Sequence, residues 1–171
     1  MNLRLRTLLF GAVLSAQAVF ILAWAGHSQW VLNTAPVVRL RPGPVDPSDP
    51  LRGDYATLNL EIARVTMPPE IESNSDVWVE LVPDGNFYKA GRLRPAKAGE
   101  PKPDGLWAKA QATWIDGRTR QTRLELGIDK YFVEEGRGNL PRGGDVVVAA
   151  CLRPSGRLYL KRVLVNGQPW R

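Results

Sequence analysis

The sequence predicts a mainly β protein, in which a single N-terminal transmembrane helix precedes a β-sandwich or barrel-like domain. Two observations predict this class. A long apolar stretch lies near the N-terminus, and short alternating segments separated by turns rich in Gly and Pro fill most of the remaining chain of 171 residues. A chain of this length favours one globular domain. We therefore expect residues 1–33 to form a signal-anchor helix with its membrane-proximal segment, and residues 34–171 to form the β-rich domain.

The transmembrane prediction depends on residues 7–25, which are strongly apolar and would contact the lipid bilayer. As a helix they would span about 28 Å, close to the thickness of a bilayer's hydrocarbon core. Arg4 and Arg6 precede this stretch, and residues 7–38 contain no Asp, Glu, Lys or Arg. The positive-inside rule then predicts a cytoplasmic N-terminus and an extracytoplasmic β-rich domain.

Cleavage of the apolar stretch is the alternative to an anchor. Ala23, Trp24 and Ala25 form a site of the small-x-small kind that signal peptidases cut. However, the apolar run is longer than the usual core of a signal peptide, and apolar character resumes at Trp30. We therefore expect an uncleaved signal-anchor, with cleavage after Ala25 kept as the alternative.

Composition excludes several kinds of site. A single Cys and a single His within one chain rule out an intrachain disulfide, a thiolate zinc site and a multi-histidine centre, so we expect no metal and no cofactor. The chain has 23 Lys and Arg against 17 Asp and Glu, and the basic residues are scattered. Arg118, Arg120 and Arg123 are the densest group, which is more typical of a solvated face or weak lipid attraction than of nucleic-acid binding.

The strand candidates share short lengths, apolar alternation and bounding turn residues. They are Val37–Arg41, Tyr55–Arg64, Val77–Val82, Phe87–Leu93, Trp107–Trp114, Thr119–Leu126, Val146–Leu152 and Leu158–Val165. Turn residues at Pro83–Asn86, Ile115–Arg118 and Arg153–Gly156 predict three hairpins. The long candidate Tyr55–Arg64 would bury the face that carries Leu58 and Leu60, and a short helical turn is expected near Ile128–Phe132.

The segment from Pro44 to Leu60 is the most distinctive part of the chain and the candidate binding site. Its candidate residues are Asp46, Asp49, Arg52, Gly53, Asp54, Tyr55 and Leu58. One interpretation is structural, since Asp before Pro closes turns and Gly adopts backbone conformations that other residues resist. The other is a polar docking loop close in sequence to the membrane. A Ca²⁺ site is a weaker alternative because the Asp spacing differs from that of an EF-hand.

The same segment resembles the bacterial GDYXXLXY protein family. Gly53, Asp54, Tyr55 and Leu58 match the motif that names the family, whereas Leu60 stands where the final Tyr would be. The Pro44–Pro47 approach and Tyr131–Gly136 are also similar to the family's sequence. The resemblance implies a single-pass protein of the bacterial inner membrane with a periplasmic C-terminal domain, often encoded beside a multi-pass membrane protein. It brings no catalytic residues with it.

We therefore expect a non-catalytic accessory or interaction protein that works with an integral membrane partner. A periplasmic ligand-binding or cell-envelope-binding domain is the first alternative, and it would require several exposed tryptophans in one groove. The tryptophans that could form such a groove are Trp78, Trp107, Trp114 and Trp170. A membrane-anchored hydrolase is the second alternative. It would need a Ser–Lys pair such as Ser48, Ser73 or Ser75 with Lys89, because His27 lies at the end of the membrane segment and cannot complete a catalytic triad.

Overall fold

A computed structural model of the chain describes residues 3–43, 55–132 and 145–170. The contacts divide the chain into two compact units, one ending at Ala35 and the other beginning at Pro36. The first unit is a single helix and the second is β-rich, as the sequence predicts.

The N-terminal helix, α1 (Leu3–Thr34), is longer than the apolar stretch that predicted it. Within it lies the candidate membrane span Leu8–Thr34, which is 27 residues long and whose most apolar window of 18 residues has a mean hydropathy of 2.1 and is not buried. Length and composition therefore suit a membrane anchor or a signal sequence. The helix ends just before Pro36, because proline disfavours helical backbone at the residue that precedes it.

Eleven strands are formed by the described residues of the second unit. They are β1 (Val37–Leu40), β2 (Tyr55–Thr57), β3 (Arg64–Thr66), β4 (Asp76–Asp84), β5 (Phe87–Pro95), β6 (Trp107–Ile115), β7 (Gln121–Glu125), β8 (Lys130–Phe132), β9 (Val146–Leu152), β10 (Leu158–Val165) and β11 (Gln168–Pro169). One 3₁₀ turn (Glu61–Ala63) separates β2 from β3.

These strands form three antiparallel sheets. The largest has the order β3-β7-β6-β4-β5 and curls into a nearly closed five-stranded barrel. A second sheet has the order β1-β9-β10-β11, and β2 and β8 form a separate two-stranded ladder. The barrel-like class that the sequence predicts is therefore confirmed.

The barrel interior is filled from one face of each strand. On β4 the inward residues are Val77, Val79 and Leu81, which are all almost fully buried. The facing positions on β6 are alanines, and small side chains let the opposite walls of a narrow barrel approach each other. The second sheet contributes Val148, Ala150, Leu152, Leu158 and Val163 to the same core. Cys151 is buried on β9, as expected of a small apolar residue.

Two sequence predictions are wrong at neighbouring places. The long strand predicted for Tyr55–Arg64 is broken, because the Ala63 N–H donates to the Leu60 carbonyl and the chain turns a corner between β2 and β3. Leu58 and Leu60 are buried as predicted, but Arg64 is exposed. The helical turn predicted near Ile128–Phe132 is instead strand β8, which pairs with β2.

The three predicted hairpins are confirmed. The β4–β5 hairpin turns at Gly85, whose φ is +61°, and the β9–β10 hairpin turns at Gly156, whose φ is +80°. In the β6–β7 hairpin, Asp116 Oδ1 accepts hydrogen bonds from the Arg118 and Thr119 N–H groups at 2.9 and 2.7 Å. These bonds, with one from the Thr119 hydroxyl, lower the pKa of Asp116.

Arg120 has a structural role that its place in a basic cluster did not indicate. Its guanidinium donates to the carbonyl oxygens of Pro68 and Ile71 at 2.6 and 2.7 Å, and so ties the β6–β7 hairpin to the connection between β3 and β4. A third, longer bond of 3.5 Å reaches the Met67 carbonyl. The main-chain N–H of Met67 also donates to the Arg120 carbonyl at 2.8 Å.

We expect Arg120→Ala to destabilise the β-rich unit by about 2 kcal/mol, because charged hydrogen bonds to two partly buried carbonyls are lost. Chemical denaturation followed by tryptophan fluorescence measures this change. Arg118→Ala is the matched control, since Arg118 lies in the same turn and is exposed. Equal decreases in the free energy of unfolding of the two variants would show that the hydrogen bonds of the Arg120 guanidinium do not stabilise the unit.

Candidate functional site

Strand β2, which begins at the motif residue Tyr55, leads directly into the core, and we call it the motif strand. Tyr55 begins β2 and is paired with Phe132 of β8, and Leu58 is completely buried. The Leu58 N–H donates to the Asp129 carbonyl at 2.7 Å, which continues the pairing beyond β2. The other candidate site residues lie outside the described residues; they are Asp46, Asp49, Arg52, Gly53 and Asp54.

Just after the motif strand, the chain forms the floor of a groove. Pro42 is bridged to Leu60, the Gly43 N–H donates to the Asn59 carbonyl at 2.5 Å, and the Glu61 N–H donates to the Arg41 carbonyl at 3.1 Å. These contacts bring residues 41–43 beside the 3₁₀ turn. Both segments then meet the edge of the barrel.

The groove lies between β3 and β5, the two edge strands of the barrel. We name it the seam groove. Its first part has a volume of about 350 Å³ and is lined by Arg41, Glu61, Ile62, Arg64, Val65, Thr66, Asp84, Phe87, Tyr88, Lys89, Ala90, Gly91 and Leu93. Because β3 is paired only with β7, and β5 only with β4, among the described strands, both edges that face the groove keep backbone groups outside the sheet.

Basic side chains outnumber acidic ones by three to two in the first part of the seam groove. The Arg41 guanidinium lies 4.6 Å from the centroid of the Phe87 ring. It is 3.9 Å from Asp84 Oδ2, and Lys89 Nζ is 3.6 Å from Asp84 Oδ1. These exposed pairs are weak, and one carboxylate shared by two cations leaves the wall positively charged.

The seam groove continues along β5 towards its C-terminal end. This second part has a volume of about 670 Å³ and is lined by Thr66, Pro68, Gly91, Arg92, Leu93, Arg94, Pro103, Asp104 and Trp107. Arg92 is held by Glu80 through two bonds of 2.9 Å, from Nε to Oε2 and from Nη2 to Oε1. The side-chain hydrogen bond from Arg92 is the main reason why the pKa of Glu80 falls to about 2.

A β-bulge divides the β5 edge of the groove. Val79 is opposite Leu93 and Leu81 is opposite Ala90, so β5 has an extra residue between them. A Cβ at Gly91 would lie 2.5 Å from Val82 Cγ2, which explains why glycine occupies the bulge. Only the segment before the bulge, Phe87–Ala90, offers an uninterrupted edge beside the basic wall.

The buried carboxylate of Asp129, like the seam groove, was not predicted from the sequence. It lies where the motif strand meets β8, and its Oδ2 accepts the Leu126 and Gly127 N–H groups at 3.1 and 3.0 Å. Its other carboxylate oxygen, Oδ1, is buried and has no hydrogen-bond partner among the described residues. Burial raises the pKa of Asp129 in spite of the two backbone donors. Asp129 falls within the helical turn expected from the sequence near Ile128–Phe132, which gave no signal for a buried carboxylate.

This raised pKa predicts a pH dependence of stability. Because the folded state holds the proton more tightly than the unfolded chain, the stabilising contribution is complete below the ordinary value of 3.8 and is lost as pH rises through the folded-state pKa. We therefore expect the midpoint of thermal unfolding of the wild type to fall relative to that of Asp129→Asn as pH rises. A difference between the two proteins that stays constant from acidic to neutral pH would contradict this assignment.

The four tryptophans of the β-rich unit do not form one exposed groove. Trp78 and Trp107 are buried, Trp170 is partly buried and Trp114 is 70% exposed. Their arrangement therefore lacks the cluster of exposed rings that an aromatic ligand-binding surface requires.

Two of the serines named for a Ser–Lys pair, Ser73 and Ser75, take part in structural hydrogen bonds, and Ser48 lies outside the described residues. Ser73 Oγ accepts the Ile115 N–H at 3.1 Å, and Ser75 Oγ donates to the Glu72 carbonyl at 2.6 Å. No group of three His, Cys, Asp or Glu side chains suited to a metal ion occurs in residues 3–43, 55–132 and 145–170.

The comparison with known families agrees with the motif. The family model described as GDYXXLXY protein matches residues 17–163, which include the second half of α1, β2, all strands of the barrel and most of the second sheet. No curated protein and no solved structure matches the chain. From the extent of the family match, we conclude that this chain belongs to the GDYXXLXY protein family.

Proposed function

We propose that this protein is a membrane-anchored extracytoplasmic interaction protein, without catalytic activity of its own, that works with an integral membrane partner. The observation that carries the proposal is the seam groove, a basic channel between two barrel edges. Its occupant is an extended extracytoplasmic loop of the partner.

The proposed anchor is α1, uncleaved and with its N-terminus in the cytoplasm. The span Leu8–Thr34 contains no Asp, Glu, Lys or Arg, and Arg4 and Arg6 precede it. Only Ala35 and Pro36 separate the helix from β1, so the connection reaches at most about 10 Å. In a bacterial inner membrane, such a short link would hold the periplasmic unit beside the loops of neighbouring membrane proteins.

The seam groove suits an extended segment because strand edges bind peptides through backbone hydrogen bonds. A segment added beside Phe87–Ala90 would extend the sheet, and the side-chain pockets along the groove would supply selectivity. Arg41, Arg64 and Lys89 outnumber Glu61 and Asp84 in its first part, which favours a loop that carries acidic residues.

The motif residues are proposed to complete this docking surface. The chain enters the segment that holds Asp46, Asp49, Arg52, Gly53 and Asp54 from Gly43, and leaves it through Tyr55. Gly43 lies beside Asn59, next to the end of the groove at Arg41 and Glu61. Leu58, which is buried, would support the site by fixing the motif strand in the core.

Co-purification tests the proposal. The full chain with a C-terminal tag is extracted in mild detergent, its intact mass shows whether α1 is retained, and mass spectrometry identifies what co-purifies. We expect an uncleaved chain with one stoichiometric integral membrane protein, and loss of that protein in Asp54→Ala.

Asp145→Ala is the matched control, since it removes an exposed carboxylate elsewhere in the unit. Thermal melting of the purified Asp54→Ala variant shows whether it is folded. If it is unfolded, the motif has a structural role and not a docking role. If the anchored chain is recovered without any co-purifying membrane protein, the proposal of a protein partner is contradicted and ligand binding is favoured.

A further inference from the structure

A second surface, which shares strand β3 with the seam groove, lies on the outer face of the β6–β7 hairpin and β3. It is a concavity of about 660 Å³ whose walls include Trp114, Arg64 and Arg123. We propose that this surface, which we name the Trp114 face, docks on the anionic phospholipid surface of the membrane that holds the chain. This inference depends on the membrane anchor of the proposed function but not on the groove or on a protein partner.

Strand register brings the Trp114 face together. Arg64 of β3 is directly opposite Arg123 of β7, and both side chains are exposed. On the other side of β7, the register between β6 and β7 shifts between Ala112 and Ile115, and Trp114 lies in this irregularity. Trp114 is thereby left 70% exposed on a strand whose other apolar residues are buried.

The two arginines are an unfavourable pair in an isolated domain. Like charges at directly opposed positions of an antiparallel pair destabilise the sheet. Neither guanidinium is within ion-pair distance of a carboxylate in the part of the chain that the structure describes. An external anionic surface would relieve the repulsion.

The neighbouring carboxylates do not neutralise this face. Asp116 also lines the concavity, but its carboxylate is held by the N–H groups of the turn that follows it. Glu125 lies two residues beyond Arg123 on the same side of β7, but it is not among the residues that line the concavity. Arg64 and Arg123 therefore remain as charges available to an anionic ligand.

A lipid surface fits the chemistry of this face. Tryptophan is enriched at the membrane–water interface, where its ring contacts the acyl boundary and its N–H reaches the headgroups. Arginines near an anionic leaflet gain from its negative surface potential. The link of two residues between α1 and β1 limits how far the start of β1 can lie from the end of the anchor.

The test uses the full chain, labelled with 5-fluorotryptophan, in nanodiscs that each hold one copy. The discs contain phosphatidylcholine alone or an equal mixture with phosphatidylglycerol. The Trp114 fluorine resonance is assigned by its absence in Trp114→Phe, and its exposure is measured as broadening by a soluble gadolinium chelate. The resonances of Trp24 and Trp30 report whether the helix has entered the disc at all.

We expect the Trp114 resonance to be shielded from the chelate in the anionic discs and exposed in the neutral ones. Each arginine near an anionic surface changes the docked population about fivefold, so Arg64→Glu combined with Arg123→Glu abolishes the shielding. Lys161→Glu combined with Arg162→Glu reverses the same number of charges on the exposed side of β10 and leaves the shielding intact.

Equal exposure of Trp114 in both kinds of disc overturns the proposal, and so does shielding that survives the Arg64→Glu and Arg123→Glu changes. Shielding found only in native membranes, and never in lipid discs, overturns it in favour of a protein partner. If Trp24 and Trp30 are exposed as well, the anchor itself has failed, and the proposed function fails with it.

Discussion

Gly156→Ala is expected to destabilise the β-rich unit by about 3 kcal/mol, because two independent costs add at one position. The first is backbone strain, since the φ of Gly156 is +80°. The second is steric. A Cβ at this position would overlap Cζ3 of Trp78 and lie 2.9 Å from its Cη2. Trp78 is 3% exposed, and an indole so enclosed has little room to move.

This contact matters because it joins the two main sheets. The Gly156 carbonyl accepts the Lys109 N–H of β6 at 2.8 Å, so the β9–β10 turn lies directly on the barrel wall. Gly167→Ala is the matched control, since its φ is +78° and a Cβ added there would have no atom within 4 Å. We expect a loss of only about 1 kcal/mol there. Equal losses at the two positions, measured by chemical denaturation, would show that the Trp78 contact is not tight.

Leu58→Ala is expected to cost about 3 kcal/mol, within the range found for fully buried leucines. Leu58 has no exposed surface, and its N–H holds the turn that begins β8. For a unit of this size the loss corresponds to a decrease of about 10 °C in the midpoint of thermal unfolding. This prediction gives the Leu of the family motif a structural role.

Leu164→Ala serves as the comparison, because Leu164 lies near the end of β10 and is only partly buried. Its loss should be less than half as large. A Leu58→Ala protein that melts with the wild type would contradict the central position assigned to the motif strand. In that case the motif Leu would require a role other than packing.

Local turn chemistry explains why the hairpins could be predicted from the sequence. Gly85 and Gly156 follow Pro within turn segments between apolar strands, and their positive φ values are those that glycine adopts readily. The apolar span of α1 is likewise a local property of the chain. Such features need no information about distant residues.

The break in the predicted strand Tyr55–Arg64 could not be predicted in the same way. Alternation correctly indicated that Leu58 and Leu60 are buried, but the corner depends on the contact between Glu61 and Arg41, twenty residues earlier in the chain. The interpretation of Ile128–Phe132 as helical failed for the same reason, since its strand pairing is with β2. Long-range pairing overrode local preference at both places.

The seam groove is also a product of topology. Its two walls, β3 and β5, are neighbours neither in sequence nor in the strand order of the sheet, and they approach because the sheet curls. The burial of Asp129 similarly depends on where β2 meets β8. Only the motif segment itself could be identified as a candidate site from residue types and spacing.

Site-specific photo-crosslinking tests the central claim, that a membrane partner occupies the seam groove. A photoreactive phenylalanine analogue replaces Lys89 in the groove or, as the control, Lys161 on the exposed side of β10. We predict that position 89, and not position 161, crosslinks in intact cells to one integral membrane protein. We also predict that charge reversal at Arg41, which lines the seam groove but not the Trp114 face, removes this crosslink. Crosslinks of equal yield from both positions, or none from position 89, would contradict the account.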